Sequence, residues 1–471
     1  MLTSFDSLPT INQNPAAILD TDDTNPASKW WNVTLLNKPT GNSSWLIAAA
    51  ILLLKCGHSA AADEVATTPH EVVVTIDYFD SVYFRTIKKL DSGPHYIEKL
   101  TKSLADNGVD TIVVRLSAGG LFEYDSPLSY PASSFDVTHV DEMRKQFSKV
   151  DGLADTAIEK YKTERVAAHK AFGKLIAEFD PRKAFVESGH KAGLKVIFWI
   201  DLFDDGYPGY RSKFIDENPH CVWTSNKGVR HPAVISYAFE ESREFRVAQT
   251  KELLSSGADG VYLSLSAHSR HFYFKDDPGE FGYEAPVADV YKQFTGKDLS
   301  NRATLDRSVW HHIKGELIRY LYSRIAKECH SRTRRREVWI GVQLGKYTHI
   351  TTEGNYTGPP RIAWENDWRK LIDQGIADAL VLSDYEHPGL RNHPKATRYW
   401  ANKNIPAASY DDIVRWAAAD YIPYAKRIPR PRPTKPLVWQ AFHPSATWRS
   451  VDRTSVSTRQ YRTDRGRTTC R

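Results

Sequence analysis

Four segments of the chain share one pattern: "LADNGVDTIVVRL" (104–116), "SGHKAGLKVIFWID" (188–201), "LLSSGADGVYLSL" (253–265) and "LIDQGIADALVLSD" (371–384). Each ends a helical periodicity at a glycine, takes two or three residues, and enters a β-rich run. Glycine suits that point because the residue after a helix often turns left-handed, a conformation that side-chain-bearing residues resist. Four copies of helix, glycine, short loop and strand are four αβ units. Further strands fit at 71–77, 337–344 and 436–442, which gives seven in order: β1 at 71–77, β2 at 111–116, β3 at 195–201, β4 at 260–265, β5 at 337–344, β6 at 378–384 and β7 at 436–442. Continuous apolar strands alternating with helices predict a parallel sheet covered by helices.

Connection lengths refine this to an α/β chain of the (β/α)8 TIM-barrel type. Helix-to-strand connections are short, whereas the segments after strands are long, at roughly 117–180, 202–238, 266–305 and 345–364. In such barrels the loops after the strands build the site, and the opposite face serves stability. The insertion at 138–180 reads as helical and is expected to form a lid or side wall. No eighth strand is identified. Either it hides in a poor match, or the barrel is incomplete because the chain is cut short or out of register after about Phe442.

The chain of 471 residues, 41% hydrophobic and 25% charged, can bury a large core. Its net charge of +6 is uneven: residues 426–471 carry 12 Lys/Arg and 2 Asp/Glu, net +10, leaving −4 for the rest. The end from 443 is expected to be a basic, disordered tail. Near the start, an apolar run at 45–54 followed by Ala60 and Ala62 predicts a signal peptide cleaved after Ala62 and a secreted or periplasmic protein. The alternative is a membrane anchor through 45–54, although ten apolar residues are few to span a bilayer. The barrel domain is then 63–442. Within it only Cys221 and Cys329 could pair, and the sequence leaves that open.

Acidic residues collect where the strands end. Asp77 closes β1, Asp201 closes β3 with Asp204 and Asp205 beyond, and Asp384 and Glu386 close β6; Glu280 and Glu284 follow β4 in "GEFGYEAP". Glycosidic cleavage needs two carboxyl groups, one to protonate the leaving oxygen and one to attack the sugar or activate water. Asp201, Asp384, Glu386 and Glu284 are therefore the catalytic candidates. Asp77, Asp204, Asp205, His268, His271, Tyr207, Trp364 and Tyr385 are the substrate-binding candidates, the rings as stacking platforms for sugars. Asp110, Asp259 and Asp378 precede strands, on the opposite face, and are expected to be structural. No metal or cofactor is expected, and a metal-dependent hydrolase using His268 and His271 is the lesser alternative. There is no phosphate loop of the GxxxxGK[ST] kind and no GxGxxG after a strand, so nucleotide chemistry has no support. Nor is a nucleic-acid partner expected, and the oligomeric state is open.

The run "DPRKAFVESGHKAGLKVIFWIDLFDD", then "GADGVYLSLSAHSRH", "FGYEAPVADVYKQFTGKDL" and "WHHIKGELIRYLYSRIAKE", resembles the glycosyl-hydrolase-like family ten proteins, secreted bacterial barrels often found in planctomycetes. The resemblance covers roughly 70–442 and implies a hydrolase directed at a poly- or oligosaccharide. One departure matters: glycosidase barrels of the familiar kind carry acids at the ends of β4 and β7, and here those strands end in "YLSLSAH" and "WQAFHP". A catalytically silent carbohydrate-binding barrel is therefore the second expectation.

Overall fold

The computed structural model describes residues 71–78, 81–82, 85, 90–134, 155–203, 205–207, 210–265, 279–331, 333–342, 350–351, 354–357, 364–365, 367–382, 424, 435–438, 440–441 and 458–459. The expected leader with Ala62 and most of the basic tail lie outside them. Seven parallel strands form one sheet in chain order: β1 (Val73–Asp77), β2 (Thr111–Arg115), β3 (Lys195–Asp201), β4 (Gly260–Ser264), β5 (Glu337–Val342), β6 (Ala379–Leu382) and β7 (Lys435–Val438). The main helices are α1 (Pro94–Asp106), α2 (Asp155–Glu178), α3 (Pro181–Lys191), α4 (Glu240–Ser255), α5 (Ala285–Thr295), α6 (Arg307–His330) and α7 (Trp368–Asp373).

Strands β1 to β6 alternate between two cores. Val196, Phe198 and Ile200 of β3 join Ile112, Val114, Val261, Leu263, Val338, Ile340 and Leu380 in the large core that also holds helix residues such as Phe185, Leu253 and Leu321. The intervening residues Val73, Val113, Ile197, Trp199, Tyr262, Trp339, Ala379 and Val381 form a second core drawn from six strands and no helix. Trp339 and Tyr262 in that core have no exposed surface. A sheet with helices on one face and a fully buried opposite face has curled onto itself, so the architecture is a (β/α) barrel. It is incomplete: among the described residues no eighth strand joins the sheet, and Gln440–Ala441 pairs instead with Thr458–Arg459.

The four repeat glycines do what the pattern requires. Gly108, Gly193, Gly257 and Gly375 have φ of 82°, 81°, 97° and 69°, each closing a helix before β2, β3, β4 or β6. Just beyond them, on the face at the strand starts, a second device recurs. Asp110 Oδ2 accepts from the Val72 amide at 2.6 Å, Asp259 Oδ2 from Val196 at 2.9 Å and Asp378 Oδ2 from Val338 at 2.9 Å. Each aspartate thus ties the start of an even-numbered strand to the strand before it. His190 and His330, from the last turns of α3 and α6, lie 2.8 Å from Asp259 and Asp378, and Arg334 and Arg335 each add a bond at 2.7 Å. Burial opposes ionisation of Asp378, but the bonds from His330, Arg335 and the Val338 amide hold its carboxyl below the usual range. The structural role expected of these three aspartates is the one the structure gives them.

The 138–180 insertion is described only from 155, as α2. Its Phe172 meets the Tyr78 ring edge-on at 5.9 Å, so this part packs into the large core beside β1. Cys221 and Cys329 are both buried and do not form a disulfide with each other. Among the described residues, no helix is long and apolar enough to cross a membrane.

Candidate functional site

Strand alternation decides what reaches the barrel mouth. Counting by twos from the interior residues Val73, Val113 and Ile197 arrives at Asp77, Arg115 and Asp201, the last residues of β1, β2 and β3. Asp77 sits opposite Arg115, and Arg115 opposite Trp199, one layer below Asp201. Arg115 Nη1 lies 3.0 Å from Asp77 Oδ2, and its Nε lies 3.2 Å from Asp201 Oδ2. Side-chain exposures of 5% for Arg115 and 2% for Asp201, against 29% for Asp77, make Asp77 the solvent-facing member. Arg115 also donates to the Ser117 carbonyl at 3.1 Å and lies 5.3 Å from the centre of the Trp199 ring. Trp199 packs on Tyr262 at 5.7 Å, so the charged triplet rests on an aromatic floor. Beside Asp201, β4 ends at Ser264 and contributes no acid.

Arg115 is the member that sequence reading missed. In "TIVVRL" it looks like the close of an apolar strand; the available signal is that it shares a face with Val113 and comes up beside two strand-end acids.

Asp205 has a different fate from Asp201. It is fully buried, paired with Arg246 Nη2 of α4 at 3.0 Å, and accepts from the Ser212 hydroxyl. Burial pushes its carboxyl up, against the pull of Arg246 and Ser212. Arg246 further donates to the Leu202 carbonyl at 3.1 Å and to Gln249 at 2.8 Å, which pins the segment after β3 onto α4. Trp364 is 3% exposed and packs on Phe203 at 4.8 Å and Trp223 at 6.1 Å, in the interior of an aromatic cluster. Neither side chain presents a surface to a sugar in this arrangement. Tyr207 pairs through its backbone with Tyr210 in a short hairpin. Asp204, His268, His271, Asp384, Tyr385 and Glu386 lie outside the described residues.

Glu284 belongs to a separate cluster. It occupies the N-cap of α5 without capping the helix through its side chain. Its Oε1 instead accepts from the Thr224 amide at 2.6 Å, and burial pushes its carboxyl up to about 7 despite that bond and the bond from Ser236. Lys314 of α6 lies close by, pushed down to about 7 by burial and placed 3.8 Å above the Trp310 ring. Among the described residues Lys314 Nζ has no hydrogen-bond partner. Gly282, at φ +108°, leaves room for it: a Cβ there would come within 2.7 Å of Lys314 Cδ. Next to it, His311 is held neutral by burial, and His312 pairs with Glu365.

No family model matches the chain, and no curated protein matches it. Solved structures do. The catalytic domain of the beta-amylase from Paenibacillus polymyxa matches with TM-score 0.37 and 11% identity over 69% of this chain and 80% of that one. The beta-galactosidase from the psychrophilic Marinomonas ef1 matches with TM-score 0.35 and 10% identity over 74% of this chain, and the alpha-L-fucosidase isoenzyme 2 from Paenibacillus thiaminolyticus with TM-score 0.34 and 13% identity over 69%. The match spans 51% of the galactosidase and 40% of the fucosidase. At such identities and scores these likenesses decide nothing about chemistry, which rests on the residues themselves.

Proposed function

We propose that the chain is a glycoside hydrolase acting on a poly- or oligosaccharide at the mouth of the barrel, a secreted protein like those of the glycosyl-hydrolase-like family ten. The observation that carries this reading is the Asp77–Arg115–Asp201 triplet, set at the carboxyl ends of three parallel strands above Trp199 and Tyr262. That is where barrels of this type perform chemistry. A carboxylate facing a guanidinium is suited to act as nucleophile or as the base that activates water, and poorly suited to deliver a proton. Asp201 takes the first role. The acid must hold its proton near neutrality; Glu284, pushed up to about 7 by burial, has that property but belongs to the separate cluster with Lys314. Asp384 and Glu386 are the alternative donors from the end of β6.

Asp201→Asn tests this. Reducing-end release from a panel of polysaccharides and aryl glycosides should fall by at least about 100-fold, with the circular dichroism spectrum unchanged. Unaltered hydrolysis in a folded variant removes Asp201 from the mechanism. A specific observation favours a second reading, a barrel that binds carbohydrate without cleaving it: β4 ends on Ser264, and both described acids at the mouth are engaged by Arg115. Binding on a glycan array, with no reducing-end release by the wild type, decides for that reading.

A further inference from the structure

Away from the barrel mouth, the segment after β3 brings three different metal-ligating side chains to one point. The chain turns at "NPHC", where the Cys221 amide donates to the Asn218 carbonyl at 3.0 Å, and the Cys221 carbonyl accepts from the Ser236 amide at 2.9 Å. These bonds fix the backbone that carries His220 and Cys221. Opposite them, Glu241 stands in the first turn of α4, directly after Phe239 and Glu240. The Phe239 ring meets the His220 imidazole edge-on at 5.2 Å and 90°, which orients it. His220 Nε2 then lies 3.4 Å from Cys221 Sγ and 3.8 Å from Glu241 Oε1, and all three ligand atoms fall within 4.8 Å of one another.

We propose that His220, Cys221 and Glu241 form a three-ligand site for a borderline divalent cation, zinc foremost, with water completing the tetrahedron. Bond lengths of about 2.3 Å to sulfur and about 2.0–2.2 Å to nitrogen and oxygen, at tetrahedral angles, place nitrogen and sulfur about 3.6 Å apart and nitrogen and oxygen about 3.3 Å apart. The observed 3.4 and 3.8 Å differ from these by a few tenths of an ångström, within the reach of a rotamer adjustment. The same ring nitrogen faces both other ligands, as a shared metal requires. A mixed nitrogen, sulfur and oxygen set excludes magnesium and calcium, which take oxygen, and suits zinc.

Charge and access also fit. Metal binding takes Cys221 as the thiolate, its proton passing to solvent. Thiolate and carboxylate together then neutralise the two charges of the ion. The side chains of His220 and Glu241 are 48% and 53% exposed, and Glu241 lines an open groove of about 340 Å³ with Glu217, Glu244, Phe214 and Phe245, which gives the ion an acidic approach. Bound there, zinc would clamp the 218–221 turn to the start of α4, the helix that Arg246 already ties to Leu202 and Asp205.

Cobalt(II) titration of the full-length protein tests the site. One equivalent should produce a sulfur-to-cobalt charge-transfer band with the intense visible bands of tetrahedral cobalt, and zinc should abolish both. Cys221→Ser should remove the charge-transfer band while Cys329→Ser leaves it. His220→Ala and Glu241→Gln, at half-exposed positions and so safe for folding, should each weaken cobalt affinity at least about 10-fold. Absence of the band in the wild type, its persistence in a folded Cys221→Ser protein, or unchanged affinity in both surface variants overturns the proposal.

Discussion

The buried pair of Asp205 and Arg246 offers the sharpest test of how the segment beyond Asp201 is held. The two side chains are 0% and 2% exposed, and they join residues 41 positions apart at 3.0 Å. Asp205→Ala leaves the Arg246 guanidinium without its counter-ion and the Ser212 hydroxyl without its acceptor. Breaking one side of a buried pair costs about 3–5 kcal/mol. Arg246 keeps the Leu202 carbonyl, the Tyr237 hydroxyl and Gln249, so a loss nearer 3 kcal/mol is expected. Arg246→Met should cost a similar amount at neutral pH, with a difference in pH behaviour. Without Arg246 only the Ser212 hydroxyl opposes the upward push of burial on Asp205, so its folded pKa rises further above the unfolded value of about 3.9. The folded variant then binds its proton more tightly than the unfolded chain, and its deficit, full above the raised pKa, shrinks as pH falls through it. The double variant should lose about 2–3 kcal/mol less than the two single losses combined. Urea unfolding followed by fluorescence of the 13 tryptophans, at pH 7 and pH 5, measures all of these quantities. Single losses below about 1 kcal/mol, additivity within about 0.5 kcal/mol, or a pH-independent deficit in Arg246→Met would refute the reasoning.

Other residues make equally direct predictions. His231 is pushed down to about 3 by burial, and its Nδ1 accepts from the Ala233 amide at 3.3 Å. With the folded pKa depressed, the wild type should lose stability as pH falls from about 6.5 toward 3, by up to about 1.4 kcal/mol per unit; His231→Asn should flatten that slope in urea midpoints, and an unchanged slope would sink the assignment. Lys314→Met should raise stability at pH 7 by about 2–3 kcal/mol, because the ammonium held down to about 7 costs more by its burial than its contact with Trp310 returns; a lower melting temperature would contradict this. Asp259→Ala should cost about 3 kcal/mol and speed hydrogen exchange at the Val196 amide, since that amide, His190 and Arg334 all bond to this one carboxylate; normal protection at Val196 would show the tie to be dispensable.

The seven strands were legible because the signals that place them are local. A glycine after each of four helices marks where the next strand begins, and its positive φ is a backbone requirement that no distant contact can waive. The apolar runs then need only their own alternation to say which residues face helices and which face the barrel interior. The same alternation delivers Asp77 and Asp201 to the mouth, since a strand-end acid has its direction set by the residues two and four places before it. Loop acids have no such rule. Asp205 follows Asp201 by four residues, yet its partner is Arg246 on a helix 41 residues on, and Trp364 closes on Phe203 across 161 positions. Nothing within "FDDGYPGY" announces that one of its carboxylates turns inward to meet a cation from α4. Glu284 is a similar case: its place at the N-cap of α5 suggests a helix cap, and its burial against Thr224, Ser236 and Lys314 follows only from how two loops and a helix pack. An acid's position along a strand is therefore sufficient to nominate it for the site, whereas an acid in a loop is nominated only once the nearest cation on a neighbouring element is known. By that criterion Asp201, with Arg115 beside it on the adjacent strand, is the candidate on which strand register and side-chain pairing agree.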